Sequence, residues 1–292
     1  MLTNEKTMSV LRKMQDDEIT GYHVYAFLAR RLKSEDPNRG LLEKISREEK
    51  AHAALWKKYT QTDAKPKQFQ IFWFKLLSIV FGFTFTLKLM EQGEVVATDI
   101  YEEIAQEIPE AQTIAEEEKT HERDLLNLLD EERLQYVGSM VLGLNDALVE
   151  LTGTLAGLSF ALQNTKIIAL SGLITGVSAT LSMMSSEYLS SRSEGSAHPL
   201  KSASYTGIMY SIAVILLVLP YLIFPANQFI LALVSMLVVV ILVILVFTYY
   251  VSVAQDLPFK KRFMEMATIS LSVAAIAFLI GIVVKQFLGI QI

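Results

Sequence analysis

The chain contains no cysteine. Disulfides, thiolate zinc sites and iron–sulfur clusters are therefore excluded, and any metal must be held by oxygen and nitrogen ligands. Histidine is scarce, with four in 292 residues, so each is weighed as a ligand. No basic patch marks a nucleic-acid surface, and no nucleic-acid partner is expected. The N-terminus, MLTNEKTMSVLRKMQDDE, lacks an apolar h-region, so no cleaved signal peptide is expected. Charge is nearly missing from one half. Residues 136–292 hold 7 Lys/Arg and 6 Asp/Glu, whereas residues 1–135 hold 19 and 25. That contrast predicts a water-solvated domain over 1–135 and a lipid-solvated domain over 136–292.

The second half contains five apolar stretches long enough to cross a bilayer, which takes roughly 20 residues. They run over 137–162, 166–190, 204–225, 228–254 and 263–289. Basic residues set the orientation. Arg133, Arg192, Lys201, Lys260, Lys261 and Arg262 fall on the side of the N-terminal half, against Lys166 and Lys285 on the other. This predicts an integral membrane protein with its N-terminal domain in the cytosol and its C-terminus outside. The lack of a targeting segment points to a prokaryotic cytoplasmic membrane.

A bare anchor has no use for ionisable groups inside its spans, where they are costly and mark pathways. Asp146 and Glu150 in GLNDALVELTGTLAGL share one helix face. Glu187 in SMMSSEYLSSRSE has Met183 one turn before it, a soft donor suited to a transition metal. Gly153-x-x-x-Gly157 and Gly172-x-x-x-Gly176 permit close helix approach. The run GLNDALVELTGTLAG, with Glu187-Tyr188 downstream and VSVAQDLPFKKRFMEMATISL before the last span, resembles the vacuolar iron transporter family. The resemblance implies a five-span dimer exchanging cytosolic Fe2+ or Mn2+ for protons. By position it assigns Asp146 as the essential first-span aspartate, Met183 as a pathway methionine and Glu187 as the acid of the family's Glu-Tyr pair. The chain departs from the family's eukaryotic members between spans two and three. They insert an acidic, metal-collecting segment there, and this chain has only SSRSEGSAHPLKSA, with Glu194 as its one acid.

Residues 1–135 predict four helices, over about 5–33, 39–61 and 68–107, with the fourth opened by Pro109 and continuing to about 134. Two carry Glu-x-x-His: Glu49 with His52, and Glu118 with His121. Glutamate is 18 of these 135 residues, so the spacing alone decides little, and placement adds the weight. A di-iron carboxylate bundle takes one Glu from each of two helices and Glu-x-x-His from each of the other two. The first helix offers Glu18, with Tyr22 one turn away as a hydrogen-bond donor to a ligand. The third offers Glu91 and Glu94. The acidic run 116–119 otherwise reads as a solvated face, and His23 as a packing or surface residue. The apolar stretch 69–90 reads as the opening of the third helix, not a sixth span, because it contains Lys75 and Lys88 and leads into Glu91.

The order Glu18, Glu49–His52, Glu91–Glu94, Glu118–His121 is similar to the rubrerythrin branch of the ferritin-like superfamily, although the cysteine-rich electron-transfer module of rubrerythrin is absent. Together the halves resemble the membrane-bound ferritin or erythrin–vacuolar iron transporter group. The expectation is an all-α protein, a ferritin-like four-helix bundle followed by a five-span membrane domain. The bundle would hold a di-iron site, or manganese, and capture, oxidise or sense iron. The membrane domain would export Fe2+ by proton antiport as a homodimer. A membrane-tethered ferroxidase or peroxide scavenger, and an iron sensor, are the alternatives.

Overall fold

A computed structural model describes residues 5–90, 104, 108–127 and 135–288. The chain divides into two compact units, Met1–Glu131 and Glu132–Ile292. Among the described residues all regular structure is helical.

In the first unit, α1 (Glu5–Arg31) ends on Arg30 and Arg31, cations that suit a helix C-terminus. The chain turns through Asp36, whose carboxylate accepts a hydrogen bond from Asn38 N, and Pro37 opens α2 (Pro37–Thr60). Contacts of Gln15 with Thr60, Glu18 with Trp56 and Tyr22 with Ser46 make α1 and α2 an antiparallel hairpin. The connection that follows is pinned to α1, because Asp16 accepts from Lys65 N and Thr20 from Lys67 N. It delivers α3 (Gln68–Val80).

The single third helix expected over 68–107 is interrupted. Helix stops at Val80 and resumes as α4 over 83–90, across Gly82 at φ +97°. A side chain is strained there, so glycine is what permits the break. The continuation, with Glu91 and Glu94, lies outside the described residues. α5 (Glu110–Asn127) runs antiparallel to α2, since Tyr59 meets Glu110, His52 meets Glu117 and His121 meets Glu48.

Two apolar clusters hold this unit together. One gathers Val24, Leu28, Leu42, Ile45, Ile71 and Leu125, the other Leu11, Met14, Trp56, Ile108 and Ile114. On α1, α2 and α5 alike, the residues between the two clusters are the titratable ones: Glu18, then Glu49 and His52, then Glu118 and His121.

The second unit contains five helices long and apolar enough to cross a membrane: α6 (Val137–Leu162), α7 (Thr165–Ser193), α8 (Pro199–Ile223), α9 (Phe229–Gln255) and α10 (Phe259–Leu288). α8 starts five residues before the predicted apolar run because Pro199 suits a first helical turn. The glycine faces are spent inside the unit. A Cβ on Gly153 or Gly157 would strike α10, one on Gly172 would strike Leu155, and one on Gly176 would strike Val214. They set helix spacing within one chain, the close approach that their spacing permits.

Candidate metal centre and membrane pathway

Burying carboxylates is expensive unless a cation or a donor neutralises them. Glu18, Glu49, His52 and His121 are all buried, and Glu118 nearly so. One ligand atom from each of Glu18, Glu49, His52 and Glu118 lies within 4.8 Å of the others. His121 adjoins them, with Nδ1 3.6 Å from Glu118 Oε2 and 3.8 Å from Glu49 Oε1. The two imidazoles stack with centroids 6.1 Å apart. Five of the seven metal ligands predicted from sequence are thus brought together, and Glu91 and Glu94 lie outside the described residues.

Three of the atoms at the centre are under-satisfied. His52 Nδ1, His121 Nδ1 and Glu118 Oε1 are buried without a hydrogen bond. His52 Nδ1 and Glu118 Oε1 lie 3.0 Å apart, close enough to attract but misaligned for hydrogen bonding. Buried polar atoms left in this state fit a cation that would occupy the space between them. The set is all oxygen and imidazole nitrogen, which suits Fe2+ or Mn2+.

Without a metal, protons must balance the charge. Burial opposes charging of His52, but the carboxylates of Glu118, Glu18 and Glu117 outweigh it and lift its pKa from 6.5 to about 11. Burial likewise works against a charged His121, and Glu118 and Glu48 raise it regardless. Burial would raise Glu118, but His121 and His52 hold it well below the usual carboxylate range.

Several residues that build this centre were not singled out from sequence. His52 Nε2 meets Glu117 Oε2, and His121 Nε2 meets Glu48 Oε2, each at 2.7 Å. Each outer carboxylate immediately precedes a ligand glutamate in chain order and serves the histidine of the other helix. The signal was present as a repeated five-residue pattern, Glu48-Glu49-Lys50-Ala51-His52 and Glu117-Glu118-Lys119-Thr120-His121. Trp56 Nε1 donates to Glu18 at 3.2 Å, the role expected of Tyr22, whose ring instead lies against His23 and under Lys50. A Cβ on Gly21 would fall 2.8 Å from Glu49 Oε2, so glycine in the middle of α1 makes room for a ligand carboxylate.

In the membrane unit, Ser139 on α6 donates to Glu187 on α7 at 3.0 Å and lies 2.8 Å from Ser202 on α8. Thr206 donates to the Ser139 carbonyl at 3.0 Å. Tyr210 donates to Glu150 on α6 at 2.8 Å. Ser202, Thr206 and Tyr210 are four residues apart and form a hydroxyl stripe on α8. At 1.5 Å per residue, Ser139 and Asp146 are about 10 Å apart along α6. Asp146 and Met183 are partly buried and, among the described residues, stand outside these hydrogen bonds. This stripe was not legible in sequence, since hydroxyl residues are common in spans and carry no distinctive spacing.

A sequence model of the VIT family matches residues 137–198 and 192–282, which together cover half of the chain. No curated protein compared with the chain matches it.

Proposed function

The chain belongs to the VIT family of membrane metal transporters, and from that premise we propose that it exports cytosolic Fe2+, or Mn2+, in exchange for protons, supplied by a ferritin-like di-metal domain formed by residues 1–135. The observation that carries this reading is the layer of buried carboxylates and imidazoles between the two apolar clusters of the first unit. A metal-ligand set in one half of a chain whose other half belongs to a metal-transporter family points both halves at the same ion.

Glu18, Glu49, His52, Glu118 and His121, with Glu91 and Glu94, hold the captured ions, and Trp56, Glu48 and Glu117 orient the ligands. Iron held there would supply redox chemistry, and the domain captures it, oxidises it with dioxygen as the electron acceptor, or senses it. In the membrane domain Asp146, Glu150, Met183 and Glu187 line the route. Protonation of the acids from the outer side weakens their hold on the cation and couples its release to proton entry. The domain over 1–135 faces the cytosol, the C-terminus lies outside, and the chain acts as a homodimer in a prokaryotic cytoplasmic membrane.

The test is Fe2+ entry into proteoliposomes carrying the purified chain, with an imposed pH gradient and an interior pH dye. The reading predicts metal entry with opposite proton movement, lost in Asp146→Asn. Metal bound to folded protein with no flux in either sample would contradict transport and favour a tethered ferroxidase or a sensor.

A further inference from the structure

α3 buries Ile71, Leu77 and Ser78 on the side facing α1. The rest of it is still apolar. Phe69, Phe72, Trp73, Leu76, Ile79 and Val80 are exposed, Phe69 at 80% and Phe72 at 61%. At 100° per residue these six fall within an arc of about 120°, along a helix about 20 Å long. α3 is too short to span a membrane. Its orientation is nevertheless fixed, because the preceding connection is hydrogen-bonded to Asp16 and Thr20 of α1 and the following break falls at Gly82.

Within the segment itself charge has one sign, and Asp17 of α1 pairs with Lys67 at its start. From residue 64 to residue 90 the chain holds Lys65, Lys67, Lys75 and Lys88 and no Asp or Glu. Lys65 and Lys67 precede α3, Lys75 lies near its middle, and Trp73 sits within the apolar face. An apolar arc with an aromatic and a lysine fringe is the composition of a helix lying in a lipid interface. We propose that α3 is an interfacial anchor, seating its Phe69–Val80 face in the headgroup region of a bilayer that carries anionic lipid.

One observation favours lipid over a second copy of the chain. The five membrane-length helices of the same chain keep a bilayer at high effective concentration, so a modest intrinsic affinity suffices. Phosphate headgroups would complement Lys65 and Lys75 at the edge of the face. This inference requires only that the chain is a membrane protein and holds whether or not the metal reading does.

The absence of cysteine makes single nitroxide labels unambiguous. The full-length chain carrying Phe72→Cys, Ile79→Cys or, as a water-exposed reference, Arg12→Cys is labelled and reconstituted in vesicles of phosphatidylcholine with phosphatidylglycerol. Collisions with oxygen, which partitions into lipid, are compared with collisions with a water-soluble nickel chelate. The oxygen-to-nickel ratio is expected to be several-fold higher at Phe72→Cys and Ile79→Cys than at Arg12→Cys. Equal ratios at all three sites would overturn the anchor. So would nickel exclusion without oxygen enrichment, accompanied by spin–spin broadening between Phe72→Cys labels, which would assign the face to a second copy. All three positions are exposed, so the substitutions leave the packed interior untouched.

Discussion

His52 and Glu117 meet at 2.7 Å across α2 and α5, and the same distance joins His121 to Glu48 in the reverse direction. The outer nitrogen of each imidazole is thereby fixed by a carboxylate of the opposite helix, which leaves each Nδ1 aimed at the shared centre. Outer carboxylates of this kind orient a ligand histidine and raise its basicity. Glu117→Gln and Glu48→Gln are expected to weaken binding of Fe2+ or Mn2+ by about 10- to 100-fold while leaving the ligand set intact. Equilibrium metal titration of the full chain measures this, and affinities matching the unaltered chain would contradict the orienting role.

Gly21 provides a test in which stability and binding separate. Alanine in a helix interior is favoured over glycine by about 1 kcal/mol. The added Cβ of Gly21→Ala would press on the Glu49 carboxylate. Thermal unfolding of the metal-free chain should be unchanged or later, while metal affinity falls. Retained affinity would show that Glu49 has room to spare.

Metal binding should depend on pH with a definite sign. In the metal-free protein the raised His52 holds a proton at neutral pH, His121 beside it is raised as well, and a cation has to displace the bound proton. Affinity therefore increases as pH rises through the neutral range, with protons released on binding. Stability of the metal-free fold runs the other way. The His52 contribution is fully present below its ordinary value of 6.5 and is lost as pH climbs through about 11. Calorimetric titration with Mn2+ in two buffers of different ionisation enthalpy counts the protons, and zero release would contradict this charge assignment.

Much of this architecture was open to inspection in the sequence, for uneven reasons. The five membrane helices follow from uninterrupted apolar runs, and the largest shift of an end is at Pro199, where polar residues continue a helix beyond its apolar stretch. Five of the positions gathered at the buried centre followed from helix order and Glu-x-x-His spacing. Glu48 and Glu117 did not, because spacing reports which residues share a helix face and their partners lie on another helix. The break at Gly82 was hidden for a similar reason. Apolar residues continue on both sides of it, and only the backbone angle distinguishes a broken helix from a bent one.

Tyr210 and Glu150 provide a check within the membrane unit. Removing one hydrogen bond costs about 1 kcal/mol, so Tyr210→Phe should lower flux by about fivefold, with metal binding by the soluble unit unchanged. Proteoliposome flux and metal titration on the same preparation separate the two. Full flux in Tyr210→Phe would remove the α8 stripe from the pathway.

The central claim is that the buried centre of residues 1–135 feeds the membrane half. It is tested most directly by Fe2+ flux in the double variant Glu49→Ala with Glu118→Ala, measured over a range of metal concentrations. The account predicts flux well below that of the unaltered chain at limiting metal, recovering as metal is raised, because the route through the spans remains intact. Identical flux at every concentration would show that the two halves handle metal independently.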